Sequence, residues 1–125
     1  MASELRVNTL KDASGNNSIA TSFVANGSAK ARCHFTTVTT TAVNESFNVT
    51  SLTDTGTGDT DVNLTNAFVN ASIVASFNVG GGSNGDQSFI QTATTASSIH
   101  CFNYNGNNSV HDSAFCMLCG HGDLA

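Results

Sequence analysis

From Ala29 to Phe35 the chain alternates without a break. Ala29, Ala31, Cys33 and Phe35 are small or apolar, and Lys30, Arg32 and His34 are polar. Successive side chains of an extended strand point to opposite faces, so this spacing predicts a strand with one buried and one wetted side. Cys33 falls on the buried side and His34 on the other. Similar stretches recur at 43–50 (Phe47 and Val49 sharing a face), 60–64 (Val62 and Leu64 in phase) and 72–79 (Ile73, Ala75, Phe77 and Val79 on one side). Further strands are expected at 88–93, 98–104 and 113–119. Between them stand Gly- and Asn-bearing turns: 54–59, a corner at 66–70, the Gly-rich 80–86, and 105–108. Asn105-Gly106 is a strong hairpin signal and predicts a tight connection between the last two strands. Seven or eight short strands at this spacing imply an all-β, compact antiparallel β-sandwich, jelly-roll-like, in residues 29–125.

Composition supports this reading. Ser, Thr and Asn supply 46 of the 125 residues, Pro is absent, and Glu, Lys and Gln occur only twice each. The eight Phe, with Val and Ile between them, favour a pleated surface and argue against disorder. The length suits one domain. Four Lys and Arg against nine Asp and Glu give a net charge of −5, which leaves no basic stripe for a nucleic acid. No apolar run approaches the roughly 18 residues of a membrane span, and residues 1–10 contain no run of signal-peptide type.

Residues 1–28 differ from the rest. Leu5 and Val7, and then the segment 18–24, read as two short strands around the turn cluster at 11–17. The alternative is a short helix over 4–10 capped by Ser3. An isolated hairpin is marginal in water, so this segment is expected to dock on its own domain or on a partner chain.

Chemistry-bearing residues are few. Cys116, Cys119 and His121, with His111 upstream, have a spacing used by zinc sites. On an extended 113–119 strand, however, Cys116 and Cys119 face opposite ways and cannot share an ion. They are expected to be core or half-buried thiols, with no metal and no cofactor. His121, after a glycine, is the one ligand able to fold back toward Cys119. Asp54, Asp59 and Asp61 superficially resemble a calcium loop but lack its bidentate Glu, so a Gly-bearing turn is expected. Seven Asn-x-Ser/Thr triplets occur, of which a chain this rich in Asn, Ser and Thr accounts for about half by chance, and glycosylation also requires a secretory route, so none is expected to be modified. His111, Asp112 and Ser113 are the one close His-Asp-Ser set, and their adjacency on an alternating chain argues against a catalytic triad. A sugar site calls for aromatic rings beside carboxylates, and with no Trp and one Tyr, Tyr104, it ranks lowest among the alternatives.

One stretch carries more than composition. ESFNVTSLTDTGTGDTDVNLTNA, residues 45–67, preceded by the Ala29-Lys30-Ala31 strand, resembles a recurrent module of bacteriophage tail-fibre and related virion proteins. Residues 4–16 resemble the N-terminal segment of small fibre-like proteins of marine and cyanobacterial phages, and 112–115 the module's last strand. Arg32, Thr60 and Phe68-Val69 stand where the module has Trp, Tyr and Met-Pro. The resemblance implies a non-enzymatic virion structural protein, a fibre or tail appendage assembled in the host cytoplasm. It further implies a homotrimer that joins other virion proteins through residues 1–28. The displayed loops would face a host-surface glycan or protein, with Gly81, Asn84, Asp86, Asn105 and Asn107 as candidate contacts. A capsid decoration or head-fibre protein, and a carbohydrate-binding adhesin, are the alternatives. Neither nucleic-acid binding nor membrane insertion is expected.

Overall fold

The structure is a computed structural model describing residues 3–80, 87–90 and 94–125. Its elements run β1 (Thr9–Lys11), β2 (Ser18–Ala20), α1 (Thr21–Gly27), β3 (Ala31–Thr36), β4 (Ala42–Phe47), β5 (Val49–Gly56), β6 (Asp59–Leu64), β7 (Val74–Gly80), β8 (Gln87–Ile90), β9 (Ser98–Tyr104) and β10 (Phe115–His121). Eight of these strands form two four-stranded antiparallel sheets, ordered β4-β3-β10-β7 and β5-β6-β9-β8. This is the all-β sandwich expected from the alternation.

The core lies between the sheets and is built from every second residue. Ala31, Cys33 and Phe35 of β3, with Cys116 and Leu118 of β10, face Val62 and Leu64 of β6 and Ile99 and Cys101 of β9. Phe68, from the corner after β6, closes one end and lies against Gly120 and Gly122. Phe35 and Phe77 stack with centroids 6.0 Å apart. Cys33 is 3% exposed, on the apolar side where the alternation put it.

Several boundaries depart from the sequence reading. The stretch 43–50 is not one strand. Asn48 adopts φ 57° and divides it into β4 and β5, which belong to different sheets. Phe47 and Val49 therefore do not share a face. Asn48 is tolerated there because Asn enters the left-handed region more readily than most residues. Its side chain donates to the carbonyls of Lys30 and Asn66 and accepts the Asn66 N–H, which pins the corner between the sheets. The turn expected over 54–59 is shorter, because β5 extends to Gly56 and β6 begins at Asp59. The strands expected over 88–93 and 113–119 are Gln87–Ile90 and Phe115–His121, with 91–93 outside the described residues.

The connection after Asn105-Gly106 is also different. β9 and β10 lie in different sheets, so no hairpin joins them. The reversal is local instead: Asn105 N–H donates to the Ser109 carbonyl, and Tyr104 bridges Val110. The chain then crosses to the other sheet.

Residues 3–28 form a small appendage. Of the two strands expected there, the first lies not at Leu5 and Val7 but further on, at Thr9–Lys11, and it pairs with the second, Ser18–Ala20, across a turn in which Asp12 accepts bonds from the Asn17 amide and the Asn16 N–H. The second is cut short because the chain turns into α1. There Thr21 N–H bonds Asn8 O, and its hydroxyl lies within bonding distance of the Val7 and Asn8 carbonyls. A helix over 4–10 is not formed.

Candidate functional site

Strands β6 and β9 turn Thr60, Val62, Leu64, Ile99, Cys101 and Asn103 inward. The same alternation sends Asp59, Asp61 and Asn63, and Ser98, His100, Phe102 and Tyr104, to the outer face. The register then sets Asp61 opposite His100 and Asp59 opposite Phe102. His100 Nδ1 is 2.7 Å from Asp61 Oδ1, and its Nε2 is 3.1 Å from Asp59 Oδ1. The three side chains are 12%, 28% and 23% exposed. Both contacts are favourable together only when each ring nitrogen carries hydrogen. The Nε2 contact is one of proximity, since Asp59 Oδ1 takes no aligned hydrogen bond.

An aromatic row adjoins this cluster. Phe102 and Tyr104, two apart on β9, stack at 5.1 Å, and Phe89 of β8 meets Tyr104 edge-on at 5.7 Å. Phe89 lies directly opposite Phe102 across the strand pair. His100 joins the row, with its ring centroid 6.2 Å from that of Phe102. On the other side of Asp61, the Asn63 amide lies within hydrogen-bonding reach of the hydroxyls of Ser51 and Thr53 on β5. One sheet face thus carries rings, carboxylates, an imidazole, an amide and hydroxyls. Reading Tyr104 as a lone aromatic missed this. The signal was present, since His100, Phe102 and Tyr104 stand at i, i+2 and i+4 of one alternating strand.

Of the candidate loop residues, Gly81, Asn84 and Asp86 lie outside the described residues. Asn105 and Asn107 begin where Tyr104 ends the aromatic row. The Asn105 carboxamide oxygen accepts the N–H groups of Asn107 and Ser109, so it holds its own loop in shape. The Asn107 side chain is exposed.

The cysteines divide by strand phase. Cys116 is fully buried while Cys119, three residues on, is half-buried on the opposite face. Burial, with Cys116 nearby, pushes the Cys33 thiol up to about 11, and burial pushes Cys101 up further still. Cys119 Sγ lies 3.6 Å from His121 Nε2. Among the described residues no group of three or more His, Cys, Asp or Glu is placed to hold a metal ion.

The other motifs serve the scaffold. Asp54 caps Gly56 N–H and accepts from the Thr41 hydroxyl, while Asp59 and Asp61 turn to His100, so the three carboxylates do not converge. Ser113 is buried and its hydroxyl donates to Gly80 O; Asp112 accepts Gly58 N–H; His111 N–H donates to Asn103 O.

Residues 3–28 contain no buried side chain. Leu5 is 80% exposed and Phe23 72%, with Leu10, Ile19 and Val24 about half exposed. Comparison with protein-family models, with curated proteins and with solved structures gives no match to this chain.

Proposed function

We propose that the chain is a non-enzymatic structural protein of a bacteriophage virion, a tail fibre or related appendage that contributes to host-surface attachment. It is assembled in the host cytoplasm as a homotrimer. Residues 1–28 attach it to sister chains and to other virion proteins, and the sandwich of residues 29–125 projects. The likeness of residues 45–67 to the fibre module supports this reading.

The observation that carries it is the undocked appendage. A hairpin and a seven-residue helix with no buried residue cannot recover the entropy of ordering from their own contacts. Covering a side chain such as Leu5 or Phe23 would contribute about 1.5–3 kcal/mol each. A partner surface supplies that cover, and closed cyclic symmetry is the common way for like chains to provide it.

Sedimentation of the full chain is expected to give a trimer. Removal of residues 1–28 is expected to leave a folded β domain that sediments as a monomer and no longer enters particles. A stable full-length monomer across micromolar concentrations, or normal incorporation of the truncated chain, would overturn the reading. If the protein is incorporated into particles, yet particles lacking it adsorb to hosts equally well, capsid decoration is the better reading.

A further inference from the structure

We propose that the outer face of the β5-β6-β9-β8 sheet is a carbohydrate-binding surface, and that its ligand is an uncharged glycan. The proposal draws on the attachment reading only for where that glycan would be met. Binding itself is a property of the purified chain.

The face offers the two kinds of contact a sugar ring needs. Phe89, Phe102 and Tyr104 form a continuous row across β8 and β9, and Phe89 is 47% exposed at its edge. Exposed rings are unfavourably hydrated and pack well against the C–H face of a pyranose. One strand over, at about 4.8 Å spacing, stand Asp59 and Asp61. Carboxylate oxygens accept strongly from hydroxyl pairs, and the only side-chain hydrogen bond of Asp61 among the described residues is to His100. The Asn63 amide and the Ser51 and Thr53 hydroxyls continue the polar side. All these groups sit on strands, not on loops, so little ordering is left for the ligand to impose.

Charge selects among ligands. Two carboxylates against one imidazole, in a chain of net charge −5, repel anionic glycans and nucleic acid. A cationic peptide would also suit the acid pair. His100, wedged between both carboxylates, takes up the positions such a cation would fill, and the remaining polar groups are neutral. On the outer face of the other sheet Phe115 stacks on His34, Phe47 and Met117 are exposed, and Arg32 engages the Glu45 carboxylate, so among the described residues that face sets no contacting row of Phe and Tyr rings beside a pair of carboxylates.

The test is an array of neutral, anionic and amino-sugar oligosaccharides probed with the full chain. Calorimetric titration of the best neutral glycan follows, at low salt and at about 0.5 M salt, where charge interactions between exposed groups are screened within roughly 5 Å. Binding is expected to be weak per chain, strengthened on a dense array by multivalency, and insensitive to salt. Phe89→Ala and Asp61→Asn should each weaken it by about tenfold or more. Phe89→Tyr should retain it, and Met117→Ala, on the opposite sheet, should leave it unchanged. Melting curves establish that each variant is folded. Absence of any neutral ligand would overturn the proposal. So would binding that salt abolishes, as for a cationic partner, or an equal loss with Met117→Ala. A chain that binds glycan but does not enter particles sinks the virion reading alone. One that enters particles through residues 1–28 but binds no glycan sinks this inference alone.

Discussion

Replacing Gly58 by Ala tests why the β5–β6 turn has its present sequence. Gly58 sits at φ +68°, and a Cβ built there would lie 2.7 Å from Asn103 O and 2.8 Å from both N and O of His111. All three atoms are backbone, so no side-chain rotation relieves the contact. The left-handed conformation costs a residue with a Cβ about 1–2 kcal/mol, and overpacking of this kind costs about 1–3 kcal/mol. Two short bonds are at risk as the turn backs away: Gly58 N–H to Asp112 Oδ1 and Asn103 N–H to Gly58 O, both 2.7 Å. The sum is about 2–5 kcal/mol, a large share of the roughly 5–15 kcal/mol that holds a domain together. At about 3–5 °C per kcal/mol for a chain of this size, the melting temperature should fall by about 6–25 °C. Thermal and urea unfolding of Gly58→Ala beside Asp112→Ala separates the two parts. The second variant removes only the acceptor and should cost about 1–3 kcal/mol. A Gly58→Ala protein within about 1 kcal/mol of the parent would refute the reasoning, because it would show that the turn moves away from the 103–111 loop at no cost.

Phe68→Ala should cost about 3–5 kcal/mol in urea unfolding, since the ring is 2% exposed and lies against Gly120 and Gly122. In the native protein one thiol, that of Cys119, should react readily with an aromatic disulfide, and all four only after denaturation, because burial keeps Cys33 and Cys101 protonated. The same shifts fix the sign of the alkaline response. Below the ordinary thiol value of 9.0 both states hold the proton and stability is unaffected; above it the unfolded chain alone releases it, so stability should decline as pH rises toward about 11. The limiting slope is about 1.4 kcal/mol per pH unit for each thiol.

Elements with a two-residue period were legible one at a time. Ser98–Tyr104 was expected and found with the same ends, and Cys33 and His34 took the sides their spacing assigned. What alternation does not encode is which strand lies beside which. Asn105-Gly106 marks a reversal, but whether it joins two neighbours in one sheet or closes a loop before a crossing depends on distant contacts, here the pairing of β10 with β3 and β7 in the other sheet. Asn48 stands inside an unbroken β-like run. Its turn is fixed by bonds to Lys30 and Asn66, each 18 residues away, which no local window contains. Thr21, Phe23 and Val24 favour strands by propensity, yet the chain coils there because Thr21 is tied to Asn8. The candidate site follows the same division. Period two placed His100, Phe102 and Tyr104 on one face, but only the register of β6 on β9 brought Asp59 and Asp61 to them.

The position of β10 has a consequence for how the molecule is made. The last strand in chain order is an inner strand of its sheet, with β3 on one side and β7 on the other. Its pairing joins Cys116 to Phe35, about 80 residues apart in sequence. Loop closure on that scale precedes any gain from the contacts it permits, so folding should be slow, on the millisecond-to-second scale of sheet proteins with distant pairings. Until residues 115–121 arrive, β3 and β7 each present an open edge, and Phe35 and Phe77 lack the strand that covers them. During synthesis, growing chains crowded on one message would meet with those edges exposed, a setting in which strands pair between molecules as easily as within one. Messages interrupted before Phe115 should therefore yield insoluble material and not a shorter working domain.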